Sequence, residues 1–231
     1  STTAFDMQAG TASANLAGAV GLDKTTAGTT TLSGTNTYTG TTTVSAGNLN
    51  LNSAGTAIAG NLTVAGGTAT LQAADQIADG KNVVVTSGTL DVASFNDTVN
   101  GVQITGGTIT GTTGALTSTT AFDLQAGTVS AILGGTAGAN KTTAGTVTLS
   151  KTNTYTGATT VSAGTLTLGH ATNTLADAST VVVSGGTLDL GGNADTVAGV
   201  QQTGGTIQNG TLTSTTAFDM QAGTASANLA G

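Results

Sequence analysis

The string STTAFDMQAGTASANLAG occupies residues 1–18 and returns, letter for letter, at residues 214–231. A near copy, STTAFDLQAGTVSAILGG, stands at 118–135. Verbatim recurrence over such distances constrains folding strongly, because whatever one copy packs against must recur with it. It predicts a chain built by repetition, a window on a longer periodic polymer. The copies divide one continuous solenoid, residues 1–231, into super-units 1–117 and 118–213 and the start of a further one at 214–231.

A shorter period is nested inside the long one. The long steps are 117 and 96 residues. Residues 24–47 match 141–164 at offset 117 through a shared TNTYTG, whereas Val83 matches Val181 at offset 98. The 19 residues lost between those points predict a structural unit of that size. A glycine precedes a polar–apolar alternation at Gly10, Gly28, Gly47, Gly67, Gly88, Gly107, Gly127, Gly145, Gly164, Gly186, Gly205 and Gly223. These marks are 18 to 22 residues apart and define twelve units.

After the glycine comes Thr, or Asn48 in one unit, then an apolar or small residue such as Ala12, Leu49, Leu90, Val129 or Leu166. A polar column follows: Ser13, Thr31, Asn50, Thr70, Asp91, Thr110, Ser130, Thr148, Thr167, Asp189, Gln208 and Ser226. A second apolar column runs through Ala14, Leu32, Leu51, Leu71, Val92, Ala131 and Leu149. Period-two alternation means a strand with one face buried and one wet. A second strand precedes the glycine in many units, as in Thr41 to Val44 and Val83 to Val85. A unit of about 19 residues cannot bury its own apolar face, but stacked on its like it can. The expectation is therefore an all-β chain, a parallel β-helix or solenoid of about twelve rungs, with two or three strands per rung. At about 4.8 Å per rung the stack would be about 58 Å long, and the 213-residue identity period about 53 Å.

Composition agrees. Charged residues are 6% of the chain, and Glu, Arg, Pro, Cys and Trp are absent. Without the usual fillers of exposed helix faces, helices of note are excluded. Pro is incompatible with most positions in a paired strand. The net charge of −7 is thinly spread and the four cations are Lys24, Lys81, Lys141 and Lys151, so nucleic acid is not an expected partner. No apolar run is long enough to span a bilayer as a helix. Lack of Cys suits passage through an oxidising compartment.

The stretches LSGTNTYTGTTTVSAGNLNL (32–51) and LSKTNTYTGATTVSAGTLTL (149–168) resemble the autotransporter-associated β-strand repeat. The Gly-Thr-Leu-x-Leu units after Gly88 and Gly186 extend the likeness more weakly. The resemblance implies a right-handed parallel β-helix, exported by a type V route and displayed at a bacterial cell surface. It implies no catalytic site.

Few residues are candidates for chemistry. His170 is the one histidine and has no partners of zinc-binding type, so an exposed turn is expected. Asp91 and Asp189 are equivalent, as are Asp97 and Asp195, but five rungs separate the copies of each, so no glycosidase pair forms. Gly191 to Asp195 faintly resembles a calcium-binding nonapeptide, yet its counterpart, Ala93 to Asp97, lacks the glycines, which favours a plain turn. Phe5, Phe122 and Phe218 are equivalent, as are Tyr38 and Tyr155. Together with Phe95 they read as core packing rather than as sugar platforms. Thr-x-Thr pairs could order water, but Asn50, Asp91, Asp189 and Gln208 interrupt the array.

No catalytic, cofactor-binding or metal-ligating residue is expected, and the chain is not expected to be an enzyme. The leading expectation is a structural segment of a giant extracellular or cell-surface solenoid, a filament or adhesin stalk. Its partners would be further copies of itself, end to end and side by side. The alternative is an adhesive module that recognises polysaccharide, a partner cell or ice through a Thr-rich lateral face.

Overall fold

The computed structural model describes residues 2–231. The chain divides into two compact units, Ser1–Thr117 and Ser118–Gly231. Strands and turns account for the regular structure, with no helix among the described residues.

In the first unit one sheet is built from Phe5–Asp6, Leu22–Lys24, Thr42–Val44, Leu62–Val64, Asn82–Val85 and Gly101–Ile104, in that order. A second sheet takes Gly10–Ala12, Thr29–Leu32, Asn48–Leu51, Thr68–Leu71, Thr89–Asp91 and Thr108–Ser118. The chain alternates between the two, so each turn adds one strand to each sheet, and the pairing is parallel. A third wall is less regular: Asp97–Val99 pairs with Thr108–Ser118, and a single bridge joins Ile58 to Ile77. The second unit repeats the plan. Its first sheet runs from Phe122–Leu124 to Phe218–Met220 and its second from Gly127–Gly134 to Thr224–Ala225. Its third wall becomes a true sheet through Ala194–Val197, Thr211–Ser214 and Asn228–Ala230. The chain is thus a β-solenoid of about twelve turns, six in each unit.

Register explains the core. Thr29, Asn48, Thr68, Thr89 and Thr108 are successive partners, 19 to 21 positions apart. Each side chain therefore lies against its own equivalent in the next turn. Leu32, Leu51 and Leu71 form one sealed column, and Val44, Val64 and Val85 another. Removing one such Leu or Val side chain from water contributes about 1.5–3 kcal/mol, a gain repeated at every turn. Tyr38 and Tyr155 fill the interior behind these columns. Each hydroxyl lies beside a buried threonine, Thr42 at 2.5 Å and Thr159 at 2.8 Å. Phe5 packs edge-on against Tyr38 with ring centres 6.1 Å apart, and Phe122 against Tyr155 at 5.9 Å. The packing role expected for these aromatics is what the structure shows.

Two registers differ from the expected columns. Gly10 pairs with Thr30 rather than taking the place of Gly28, so Thr11, not Ser13, lies beside Thr31, and Ala12, not Ala14, beside Leu32. Likewise Thr128 rather than Ser130 pairs with Thr148, and Val129 with Leu149. The cause is turn length. Phe5 pairs with Leu22, 17 positions on, whereas Gly10 pairs with Thr30, 20 positions on. The turn after Phe5–Asp6 is thus three residues shorter than the one beside it. The slip from the expected column is two residues, an even number, so apolar residues still face inward.

Glycines at the turns let adjacent rungs approach. A Cβ on Gly60 would overlap the Gly40 carbonyl oxygen, while one on Gly80 would meet nothing within 4 Å. Gly60→Ala is expected to lower unfolding stability by about 2 kcal/mol or more, and Gly80→Ala to change it by less than about 0.5 kcal/mol, read from denaturant midpoints. Equal midpoints for the two variants would contradict the close approach of the rungs.

Candidate functional site

The most organised polar chemistry is buried, at the corner where the second sheet gives way to the third wall. Backbone ladders are interrupted there, and unpaired N–H and C=O groups need other partners. In the first unit a column of inward side chains supplies them: Asn36, Ser53, Gln76 and Asp97, each no more than 3% exposed. Asn36 Oδ1 accepts from the Leu16 N–H at 2.8 Å, and its Nδ2 donates to the Ala57 carbonyl at 2.7 Å. Gln76 Oε1 accepts from the Ser53 N–H at 2.7 Å, and Gln76 Nε2 donates to the carbonyls of Ser53, Gly55 and Ala74. Asp97 Oδ2 accepts from both Gln76 and Ile77 N–H, at 2.8 and 3.0 Å. The second unit repeats the device with Asn153, which accepts from Leu133 N–H at 2.9 Å, and Asp195, which accepts from Leu175 N–H at 3.0 Å.

Asp97 and Asp195 are carboxylates sealed from water. Their second oxygens, Asp97 Oδ1 and Asp195 Oδ1, have no hydrogen-bond partner among the described residues. Burial pushes the Asp97 carboxyl up to about 7, against the lowering effect of the Gln76 and Ile77 amides, and the nearby Asp75 and Asp79 raise it further. Burial likewise raises Asp195 to about 6, with Asp177 adding to the effect. Burial also pushes the Tyr38 hydroxyl up to about 12, and raises Tyr155 above its ordinary value.

A second buried group was not legible as functional. Lys24 and Lys141 are fully buried in the first sheet. Each ammonium donates to the carbonyl two residues on, Thr26 and Thr143 respectively. The hydroxyls of those threonines donate back to the neighbouring rung, at the Gln8 and Gln125 carbonyls. These are the longer turns that face the short turns described above. The lysines thus supply donors to turn carbonyls beside the slipped register. Burial lowers the Lys141 ammonium below its usual range, partly offset by Asp123. The signal in the sequence was position: Lys24 occupies the inward place taken by Val44 in the next turn.

The other candidates fall where their turns put them. His170, itself half-buried, stands in an otherwise exposed turn, with Nδ1 2.5 Å from the Thr172 carbonyl and 3.5 Å from Thr152 Oγ1. Asp91 Oδ1 accepts from the Ala93 N–H and the Thr110 hydroxyl. Partial burial works against charge on Asp189, yet donors from Gly191 N–H, Gln208 and Asn209 hold its carboxyl below the ordinary range. Gly191 and Gly192 take positive φ in the following turn, and Asp195 turns inward to backbone, so the nonapeptide-like string forms a corner. Phe95 is half-buried. Outward, Thr146, Thr165, Thr187, Thr206 and Thr224 form an in-register threonine column. The column beside it is broken by Asp189 and Gln208. On the first sheet of this unit, the missing side chain of Gly199 leaves a shallow groove of about 320 Å³ beside Thr180, Val182, Gln201 and Asp219.

The passenger-associated-transport-repeat family matches residues 22–51, 140–168 and 162–190. The chain carries passenger-associated-transport repeats. The lysine cap, the asparagine clamp and the buried tyrosine all lie inside matched stretches, as Lys24, Asn36 and Tyr38 and again as Lys141, Asn153 and Tyr155. No curated protein and no solved structure matches the chain. The repeat matches and the β-solenoid fold together support a structural repeat segment of a surface passenger protein.

The buried carboxylates set a direction for pH. Their folded pKa values lie above the ordinary 3.8, so the fold holds their protons more tightly than the unfolded chain does. Stability is therefore greatest below about pH 4 with respect to these groups and falls as pH rises through about 6 to 7. Thermal melts should show a higher midpoint at pH 5 than at pH 8, with the difference reduced in Asp97→Asn and Asp195→Asn. A midpoint that rises from pH 5 to pH 8 would contradict this placement of the carboxylates.

Proposed function

We propose that this passenger segment is a stalk: a length of giant extracellular filament, or the shaft of an adhesin, on a bacterial cell surface. Its role is mechanical rather than catalytic, and its partners are other copies of the same rod. The observation that carries the reading is the parallel pairing of successive turns inside each unit, with like residues stacked wherever turn lengths match. Such a stack gains length by adding turns, without needing a new core. Its sheets present low charge and many hydroxyls outward, which permits rods to lie side by side. The buried polar chemistry is consumed by the backbone, which supports a scaffold reading over a reactive one.

One observation favours a second reading. The threonine column through Thr146, Thr165, Thr187, Thr206 and Thr224 is a regular hydroxyl array, suited to a lateral face that recognises polysaccharide, a partner cell or ice. Binding to immobilised polysaccharide, or thermal hysteresis, lost on replacing Thr165 and Thr187 with lysine, would favour it.

The stalk reading is tested on intact cells of the source organism. Antibody raised against the chain should label unlysed cells, and external protease should remove the label. Labelling that appears only after lysis would overturn surface display.

A further inference from the structure

Where the two units share a sequence, they differ by one whole turn, and their corners show where. In the first unit Thr43 pairs with Thr63 and Thr63 with Val84. In the second, Thr160, the counterpart of Thr43, pairs directly with Val182, the counterpart of Val84. The second sheet agrees: Asn50 reaches Asp91 through Thr70, whereas Thr167 lies against Asp189. The buried clamps mark both ends of the additional turn. Asn36 N–H donates to the Thr56 carbonyl at 2.9 Å, and Asp97 Oδ2 accepts from the Ile77 N–H at 3.0 Å. In the second unit Asn153 N–H donates to the Thr174 carbonyl at 3.0 Å, and Asp195 Oδ2 accepts from the Leu175 N–H at 3.0 Å. Thr174 and Leu175 are consecutive, so this carbonyl and this N–H belong to one peptide bond. In the first unit the 20 residues 57–76 stand between the same two groups. The ends of that stretch bond to each other: the Gln76 carbonyl accepts from Ala57 N–H at 2.9 Å.

From this we infer that residues 57–76 are a removable turn, held between two clamps that close on a single peptide bond when the turn is absent. A solenoid turn touches only its neighbours, so its loss replaces two interfaces with one of the same kind. Removal by a whole turn keeps inward residues inward. The corner suits a joint because side chains, not strand ladders, satisfy its backbone, and a side chain adapts to what arrives. Asn36 Nδ2 serves the Ala57 carbonyl at 2.7 Å, while Asn153 Nδ2 serves the Thr174 carbonyl at 2.8 Å, one place earlier relative to the shared Thr56 and Thr174. Gln76 leaves with the turn, and with it the donor to the Ser53 and Gly55 carbonyls. In the second unit the Thr174 hydroxyl covers this corner, donating to the His170 carbonyl at 3.4 Å, and Thr56 holds the same place in the first. The consequence is a stalk whose reach changes in steps of about 4.8 Å without a new core. That meaning rests on the stalk reading, which labelling of intact cells tests separately.

The test reads which turns are neighbours. Cysteines at Thr43 and Val84 lie two turns apart in the full chain, about 9.6 Å, beyond disulfide reach. In a chain lacking residues 57–76 they become direct partners and should join under mild oxidation, and the protein should still unfold in one cooperative transition. The converse graft places a second copy of residues 57–76 between Thr174 and Leu175. Cysteines at Thr160 and Val182, direct partners in the chain as it stands, should then no longer join. Removing only residues 57–66, half a turn, leaves the flanking strands out of step and should abolish both the transition and the Thr43–Val84 cross-link. A chain lacking 57–76 that stays unlinked, or loses its cooperative transition, would overturn the inference. So would a grafted chain in which Thr160 and Val182 still join, or a Thr43–Val84 cross-link that survives removal of 57–66.

Discussion

Parallel pairing of each turn with its own equivalent is the interaction on which everything else depends. A strand such as Thr68–Leu71 bonds to Asn48–Leu51 on one side and Thr89–Asp91 on the other, and contributes its side chains to columns of like residues. Leucine then meets leucine inside, and threonine meets threonine outside. Nearly every backbone N–H is needed for this, which is why a chain without proline suits it. The turns must be tight enough for rungs to touch, as at Gly40 and Gly60.

The same constraint explains where polar residues are buried. At the corners the ladder stops, and Asn36, Gln76, Asn153, Asp97 and Asp195 bond to the orphaned backbone groups. Where turn lengths differ and the register slips, Lys24 and Lys141 donate to carbonyls of the adjoining turn. An amide satisfies such a corner without penalty, whereas a carboxylate brings a charge into a dry interior. The raised values of Asp97 and Asp195 reflect that difference. Lysine carries the same burden with opposite sign, so Lys141 is lowered by burial.

The architecture was legible in the sequence because stacking makes each position its own environment. Rung length, strand alternation, the inward aromatics and the equivalence of Asp97 with Asp195 follow from self-alignment alone. The register at Gly10 and Gly127 was not legible, because glycine marks phase only when turn lengths match, and these turns differ by three residues. The role of Lys24 was hidden by the ordinary expectation that lysine is exposed. The role of Asp97 as an inward acceptor was hidden because period-two alternation ends at the corner where it sits. The repeat matches add that Lys24, Asn36 and Tyr38 recur as a set, but not why; the hydrogen bonds supply the reason.

The most direct measurement exploits the absence of cysteine. Paired cysteines placed at Thr68 and Thr89, direct partners on adjacent turns, are predicted to form a disulfide readily under mild oxidation, since in-register Cα atoms of adjacent strands lie about 4.8 Å apart, within disulfide range. Cysteines at Thr68 and Asp91, two positions out of register, should form one far more slowly. Equal or reversed rates would contradict in-register parallel stacking, and with it the solenoid on which the stalk reading rests.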